Sequence, residues 1–331
     1  FRRTVSMGKT YACRTGGTCE IEASIRCMCR SCRFTKCEVI GMKRANVQNR
    51  RDQHGPRYNG KVESLQESAG LMFISEEQGM PMLRRLHTHH MQLRAVRRAI
   101  HKTADVKPGP AKVYDVDAMN ILEVPIVADF MVSSFPQLSE LVPQQRKLMY
   151  QLFFSRFIVT EAAYATSLTP TKEHVVLVNG DYIDTENIGK FYSSTTSEKK
   201  VNTEEAVRMF TSSFDYFHNN IIMPMSRLAV DDYEFYAFIT LLFWDYDQER
   251  IALETRVIGE TIRDELLSEL AFYYRYVKRV PDEMIRASQL LLLLPSLLKM
   301  GRRFAEDVKL SKLFQIYSTD LLTFEVINKR I

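Results

Sequence analysis

The sequence lacks any apolar run long enough to cross a bilayer. Its longest run of leucines, Leu290–Leu294, is followed by Pro295, whereas a membrane-spanning helix needs roughly 20 apolar residues. The first residues carry charge and do not show the basic-then-apolar order of a signal peptide. We therefore expect an intracellular protein without a membrane segment.

Catalytic motifs are also missing. The 331 residues contain no recognisable Ser/His/Asp set, no HExxH, no phosphate-binding loop and no paired carboxylates in a familiar context. An enzyme is therefore the least favoured of the function classes that we consider. A chain of this length is too long for one small core, which predicts at least one large domain and an appendage.

Cysteine is absent after residue 37, and all 6 cysteines lie in that first stretch. Cys13, Cys19, Cys29 and Cys32 have the spacing C-x5-C-x9-C-x2-C, which suits four thiolates in a tetrahedron around zinc. Two disulfides are the alternative, but the scarcity of cysteine elsewhere favours a reduced, metal-binding protein. The spacing predicts one closed structural Zn²⁺ site without an open catalytic position.

Positive charge is concentrated at the same end of the chain. Residues 1–60 hold 13 Lys and Arg against 4 Asp and Glu, a net of +9, whereas the remainder has a net of −4. A basic tail by itself is more often only a solvated surface. Joined to a zinc module, it favours double-stranded DNA as a partner, because each neutralised phosphate releases counterions.

The residues around the cysteines resemble a known family. They are similar to the second zinc module of the DNA-binding domain of nuclear hormone receptors. The similarity covers the four candidate zinc ligands and the segments FRRTV at 1–5, CRFTKC at 32–37 and GM at 41–42. The resemblance implies that Cys27 and Cys37 are not zinc ligands. It also implies a second zinc site, and the start of a recognition helix, upstream of the first residue, so we expect a truncated DNA-binding domain that binds DNA weakly and with little sequence preference.

DNA contacts are carried over from the same resemblance. In the family, the end of the recognition helix, the second module and a basic extension after it approach phosphates or bases. The matching residues in this chain are Arg2, Arg3, Arg26, Arg33, Lys36, Lys43, Arg44, Arg50 and Arg51.

From Met82 onward, apolar residues recur at helical spacing almost to the end, with one hairpin-like segment at 174–184 that turns at Asn179-Gly180. The block 127–167 resembles the third to fifth helices of the nuclear receptor ligand-binding domain. The predicted fold class is mostly α, an antiparallel three-layer helical sandwich with one small β-hairpin, preceded by the second half of a double zinc-module DNA-binding domain. The predicted domains are 1–51, the partial DNA-binding domain; 52–82, a flexible hinge; and 83–331, the ligand-binding domain.

A ligand pocket is implied by the resemblance alone, since an aromatic-rich core is more often simply filled. Tyr164-Ala165-Thr166 stands where acid-binding relatives carry an arginine, so we expect a neutral, lipid-like ligand or none. The candidate lining residues are Met119, Leu122, Ile126, Phe130 and Phe157. Four nearby histidines are predicted to be exposed on a helix surface and not to bind metal: His87, His89, His90 and His101.

The segment 322–327, LTFEVI, resembles the family's activation motif, with Thr323 in a position that is normally apolar. Glu325 would cap the N-terminus of a coactivator helix. The lysine that grips the other end of that helix in the family is Ser133 here, and Arg146 or Lys147 are the candidates to replace it. The change favours a repressor or an unconventional coregulator.

The leucine-rich segment near the C-terminus resembles the dimer face of the family. Intramolecular packing is the alternative, and it would take about half of these side chains, because a helix cannot bury every side against one layer. The residues are Leu290, Leu291, Leu292, Leu294, Leu297 and Leu298.

These patterns predict a nuclear receptor-type transcription factor that acts in the nucleus through DNA, coregulators and a homo- or heterodimer, with or without a small apolar ligand. The richness in Tyr and Phe is similar to that of the receptors of nematodes. The alternative is a dimerising helical interaction module with a vestigial zinc module that does not bind DNA specifically. A complete first zinc motif upstream would favour the receptor.

Overall fold

The chain divides into two units, residues 1–71 and residues 72–331. The computed structural model describes residues 1–21, 28–44, 47, 75–101, 107–193, 202–245 and 251–314, and of Arg2 and Lys312 it describes the backbone alone.

The first unit holds two short helices, α1 (Arg2–Ser6) and α2 (Arg30–Val39). Cys29 is the N-cap residue of α2 and Cys32 lies in its first turn. Gly16 and Gly17, in the loop between the first two cysteines, have φ angles of +69° and +91°. This left-handed backbone is open to glycine without steric cost, so the loop turns back within a few residues and brings Cys13 and Cys19 together.

The second unit is built almost entirely of helices, with one hairpin. Its helices are α3 (Glu76–Gly79), α4 (Pro81–Ile100), α5 (Val113–Ser134), α6 (Pro143–Ser167), α7 (Ile188–Phe191), α8 (Thr203–Phe217), α9 (Met223–Leu228), α10 (Asp232–Phe243), α11 (Leu253–Phe272), α12 (Glu283–Leu291) and α13 (Leu294–Leu313). A 3₁₀ turn, Pro136–Glu140, precedes α6, and π-helical turns, His218–Ile222 and Tyr273–Val277, follow α8 and α11.

The helices form three layers, as predicted, with α6 and α10 in the middle. All of the residues from Glu234 to Phe243 of α10 are buried, and a helix that is buried on every side must be central. The α4 and α5 helices pack together on one side, and α13 packs on α6 and α8 on the other. The prediction of an antiparallel helical sandwich is confirmed.

The predicted hairpin is also present. Strands β1 (His174–Val176) and β2 (Tyr182–Asp184) pair antiparallel, with Val175 opposite Ile183. Leu177 and Asp181 extend the pairing, so the loop has three residues, 178–180. Gly180, the last of them, has a φ of +92°, the left-handed conformation that such a three-residue loop requires and that glycine adopts without steric cost. The hairpin lies against α6 and positions its inward-facing residues beside the cavity described below.

Local signals set where the helices begin. Asp231 and Glu234 form the capping box that the sequence predicts at the start of α10, each side chain accepting a hydrogen bond from the backbone N–H of the other. Proline is common at the first position of a helix, but Pro281 lies two residues before the first residue of α12. Asp282 accepts a hydrogen bond from a backbone N–H of the first turn and acts as the N-cap, so α12 begins at Glu283.

Two helices approach closely where a glycine permits it. A Cβ atom at Gly301 of α13 would lie 2.6 Å from Cγ of Arg156 on α6 and 3.2 Å from its Cα, so that a larger residue would force Arg156 to shift. Glycine therefore allows α13 to pack closely against α6 at this crossing.

The folded second unit reaches into the predicted hinge, 52–82. Helix α3 and the first residues of α4 lie within that range, and Met80 and Met82 are 0% and 2% exposed in the core. In the described part of the chain, no helix is both long enough and apolar enough to span a bilayer.

Candidate zinc module and ligand cavity

Four cysteine sulfurs converge in the first unit. The Sγ atoms of Cys13, Cys19, Cys29 and Cys32 all lie within 4.8 Å of one another, and Cys13 Sγ is 3.7 Å from Cys19 Sγ and 3.5 Å from Cys32 Sγ. Four thiolates at about 2.3 Å from a tetrahedral zinc ion are about 3.8 Å apart. The donor set and its spacing therefore fit Zn²⁺ in a closed site, and these four residues would hold it.

Thr15 supports the two sulfurs of the loop. Its hydroxyl oxygen lies 2.8 Å from Cys19 Sγ and 3.3 Å from Cys13 Sγ, and its backbone N–H donates to Cys13 Sγ at 3.4 Å. These hydrogen bonds, the side-chain one first, lower the pKa of the Cys13 thiol from 9.0 to about 6. Since the thiolate is the form that binds a metal ion, Thr15 favours metal binding, a role that the cysteine spacing did not point to.

The basic residues of the first unit differ in their exposure and in their contacts. Arg3, Arg33 and Lys43 are exposed, as contacts with a polyanion require. Lys36 is also exposed, but its Nζ donates to the carbonyl oxygen of Ile21 at 2.5 Å. The predicted residues Arg26, Arg50 and Arg51 lie outside the described residues, as does the side chain of Arg2.

Arg44 has partners within its own unit. Its Nε lies 2.5 Å from Glu38 Oε1, and its guanidinium stands 4.9 Å from the centroid of the Phe34 ring. Phe34 in turn stacks on Phe1, with 5.0 Å between ring centroids. This stack ties the start of α1 to α2, so Arg44 has a structural role whether or not it also approaches DNA.

The second unit contains a cavity of about 150 Å³. Its walls are mainly apolar and come from α5, α6, the hairpin, α8 and α13, with Met119, Val159, Ile183, Phe210 and Phe304 as representatives of those five elements. A largely apolar, partly open space with a few polar groups at its ends is the usual form of a small-molecule site.

Of the five lining residues that the sequence suggested, Met119 lies on the cavity wall. Leu122 is 48% exposed on the surface, Ile126 is half-buried, and Phe130 and Phe157 are core residues whose ring centroids lie 6.1 Å apart. On α5, the cavity-lining residues all lie in the first half of the helix, between Val113 and Glu123, which leaves Ile126 and Phe130 beyond the cavity.

Several of the missed lining residues come from an element that the sequence did not connect with the pocket. On α13, Met300, Phe304, Asp307 and Ser311 all line it, and their spacing of four, three and four residues places them on one helix face. Asp307 and Ser311, polar residues on the same helix face as Met300 and Phe304, were the signal that the sequence offered. Which neighbouring helix they would meet depended on the tertiary packing.

A buried charged cluster borders the cavity at the α4 end. The guanidinium of Arg97 on α4 donates to Glu123 on α5 at 2.7 Å and to both carboxylate oxygens of Glu161 on α6 at 2.6 and 2.9 Å. Arg97 and Glu123 also line the cavity. Burial alone would raise the pKa of Glu161, but the charge of Arg97 and a hydrogen bond from His90 outweigh it and lower the pKa to about 2.

The prediction that the four histidines are exposed is wrong, since His87, His89 and His101 are half-buried and His90 is buried. Two of them have carboxylate partners. His90 is 5% exposed, with Nε2 3.3 Å from Glu161 Oε1 and Nδ1 3.1 Å from the Tyr236 hydroxyl. The Nε2 atom of His101 lies 2.7 Å from Glu123 Oε1. Because a carboxylate can only accept, both Nε2 atoms donate. The partners lie 22 and 71 residues away in sequence, so helical spacing could not reveal them.

The candidate coregulator residues are only partly described. Arg146 and Lys147 are half-buried in the first turns of α6, and Ser133 is exposed at the end of α5. Glu325 lies outside the described residues.

The leucine-rich segment is divided between the core and the surface. Leu290 and Leu297, two of the residues assigned to a dimer face, are 1% and 0% exposed and belong to the core, which corrects that assignment. Leu292 is 75% exposed. The remaining three are partly buried against the core: Leu291, Leu294 and Leu298.

Comparison with known proteins matches both units. Residues 1–44 match the double treble clef zinc finger of C4 type, and residues 107–314 match the ligand-binding domain of nuclear hormone receptor. Nuclear hormone receptor family member nhr-28 of Caenorhabditis elegans is 36% identical over all of this chain and 79% of its own length. Family member nhr-86 of the same organism is 32% identical over 99% of this chain and 88% of its own length. Among solved structures, the Ultraspiracle ligand binding domain from Drosophila melanogaster aligns with a TM-score of 0.46 and 17% identity, over 62% of this chain and 76% of its own.

A C4-type zinc finger and a helical ligand-binding domain in one chain define a DNA-binding transcription factor, not an enzyme. The chain belongs to the nuclear hormone receptor family.

Proposed function

We propose that this chain is a zinc-dependent transcription factor of the nucleus that is regulated by a small molecule bound in the cavity of its helical unit. The observation that carries the proposal is the joint presence of a four-sulfur metal site in a basic unit and a partly open, mainly apolar cavity in a separate helical unit. Each unit supplies one half of a regulator, DNA binding or ligand response.

For the DNA half, we assign the contacts to the exposed residues Arg3, Arg33 and Lys43, with charge added by Lys36 and Arg44. Guanidinium and ammonium groups neutralise phosphates and release counterions, so affinity should fall as salt rises. Arg2, Arg26, Arg50 and Arg51 belong to the same proposal on the strength of the family pattern.

For the protein partners, we assign coregulator binding to Glu325 with Arg146 or Lys147, since a carboxylate and a cation at the two ends of a groove suit the dipole of a bound helix. A fluorescence titration with an LxxLL peptide would measure it. For a homo- or heterodimer, we assign the contact to the exposed part of the leucine-rich segment around Leu292.

The zinc site provides the experiment that tests the DNA half. We expect that Cys13→Ser removes one zinc ion per chain and weakens binding to duplex DNA by at least about ten-fold, because loss of one ligand of a structural zinc site unfolds the module around it. Metal content by mass spectrometry and fluorescence anisotropy measure the two effects.

Cys37→Ser is the matched control. Cys37 is a half-buried cysteine of α2 that lies outside the four-sulfur cluster. The Cys37→Ser substitution should leave both zinc content and DNA affinity unchanged. Equal loss of zinc in both variants, or unchanged zinc in Cys13→Ser, would contradict the assignment of ligands.

A further inference from the structure

The cavity has a carboxylate at its α13 end. Asp307 lines the wall there with Ser213 and Ser311. Burial raises the pKa of Asp307, while a hydrogen bond with Ser213 and the charge of Arg303 act in the opposite direction. A carboxylate offers about four acceptor positions, so the Ser213 hydrogen bond leaves most of them available to a bound molecule.

The neighbouring cation is directed elsewhere. The guanidinium of Arg303, one turn before Asp307, donates to the hydroxyl oxygens of Ser212 at 3.0 Å and Ser213 at 3.3 Å, and it stands 5.4 Å from the centroid of the Tyr216 ring. Arg303 does not line the cavity. The charge that a ligand would meet at this end is therefore that of Asp307.

At the α4 end, the basic residue among the described lining residues is already paired with carboxylates. Among the described residues that line the cavity, Arg97 is the basic one, and Asp117, Glu123 and Asp307 are acidic. Glu123 and Glu161 already accept the hydrogen bonds of the Arg97 guanidinium. An anionic head group would lie against a wall with a surplus of negative charge. It would lose its hydration without gaining a cationic partner, which is costly at low dielectric.

The size of the cavity restricts the ligand as well. A volume of about 150 Å³ is on the order of that of an engineered apolar cavity that binds benzene. A ligand that fills it has one ring, or an alkyl chain of similar volume, and a short polar arm.

From this charge pattern and volume we infer that the cavity binds a small apolar molecule whose head group donates hydrogen bonds to Asp307, an amine above all, and that it rejects carboxylic acids. This inference rests on the proposed function of the cavity as a ligand site. It adds the chemical class of the ligand and names the residue that selects it.

Three probes of matched shape test the inference on the full chain purified with zinc. 2-Phenylethylamine, 2-phenylethanol and phenylacetate share one ring and a two-carbon arm and differ in the head group. We expect the amine to bind most tightly and the acid at least about ten-fold more weakly than the amine, the effect of one charge-assisted hydrogen bond. Dissociation constants are measured by NMR titration or calorimetry.

Asp307→Asn should remove the preference. The amide keeps the shape of the side chain and loses the negative charge, so the affinity for the amine should fall about ten-fold while that for the acid stays equal or rises. Glu306→Gln is the matched control, because Glu306 is exposed on the same helix and does not line the cavity. It should change neither affinity by more than about two-fold.

The outcomes separate the inference from the function on which it rests. Binding of phenylacetate as tight as that of the amine, or an amine preference that survives in Asp307→Asn, would overturn the inference and leave the cavity as a ligand site. If none of the three probes binds at millimolar concentrations, the inference and the ligand half of the proposed function both fall.

Discussion

At the scale of single residues, the most consequential side chains are those of the buried charged cluster. Arg97 faces two carboxylates, Glu123 and Glu161, in a region that is almost free of solvent. Such a cluster is a weak source of stability when complete, because desolvation offsets the attraction. Removal of one partner is costly, since it leaves a buried charge without compensation.

The pH dependence of this cluster has a definite sign. The pKa of Glu161 is lowered from 4.5 to about 2 in the folded state. The stability that this shift contributes is complete above pH 4.5 and is lost as the pH falls towards 2. The cluster therefore makes the folded state more stable at neutral pH than at acidic pH.

Arg97→Met should lower the free energy of unfolding by about 3–5 kcal/mol at pH 7, the usual cost of breaking a buried ion pair from one side. Without the guanidinium, burial raises the pKa of Glu161, and protonation relieves the penalty. The deficit relative to the wild type should therefore be smaller at pH 5 than at pH 7, as measured by urea unfolding at both values.

Arg98→Met, an exposed arginine of the same helix, serves as the control and should change stability little at either pH. A deficit in Arg97→Met that does not change between pH 7 and pH 5 would show that its cause is lost packing and not uncompensated charge.

At the scale of elements, the start of α4 depends on a helix that is distant in sequence. Glu269 of α11 accepts hydrogen bonds from the backbone N–H groups of Met82 and Leu83, both at 2.9 Å. The first turn of a helix leaves such donors without intrahelical partners, and the residue before α4, Met80, has no side chain that could accept them. Glu269 thus replaces a local N-cap.

Glu269→Ala should lower the free energy of unfolding by at least about 1–2 kcal/mol, because two buried N–H groups lose their acceptor. Hydrogen exchange should also accelerate at the amides of Met82 and Leu83, and NMR or mass spectrometry would detect it. Glu265→Ala removes an exposed carboxylate one turn earlier on the same helix and should have neither effect. Protection at Met82 and Leu83 that survives in Glu269→Ala would refute the cap.

At the scale of the whole molecule, the question is which surface a second chain would cover. The C-terminal leucines do not form one surface, since Leu290 and Leu297 are in the core and Leu292 is exposed. Met284 and Ile285, on the same helix as Leu290, are also exposed, at 79% and 57%. The proposed dimer contact is therefore extended from Leu292 to these outward-facing side chains, as a proposal that the next experiment tests.

Leu292→Glu should weaken self-association by at least about ten-fold if the contact includes this side chain. A charge buried at the centre of an interface costs more binding free energy than a ten-fold change in affinity represents. Sedimentation velocity over a concentration series measures the dissociation constant. Leu168→Glu, which introduces the same charge at another exposed leucine, 62% exposed after α6, should leave it unchanged. Equal effects of the two variants would point to a general effect of charge.

The zinc site, the hairpin and the start of α10 could be predicted because their determinants lie close together in the chain. The spacing of Cys13, Cys19, Cys29 and Cys32, the Asn179-Gly180 turn and the capping box at Asp231 each act locally, and the order of the elements follows from apolar periodicity. The three layers were predicted from the resemblance of the helix order to the nuclear receptor ligand-binding domain.

What the sequence by itself determined is thus the metal site, the order of helices and the class of protein. The tertiary structure alone decided that His90 and Arg97 meet Glu161, that Glu269 caps α4, that Leu290 and Leu297 turn inward, and that Asp307 borders the cavity. Each of these contacts joins helices that are far apart in the chain. Periodicity states which face of a helix is buried, whereas the partner of that face is set by how the layers pack.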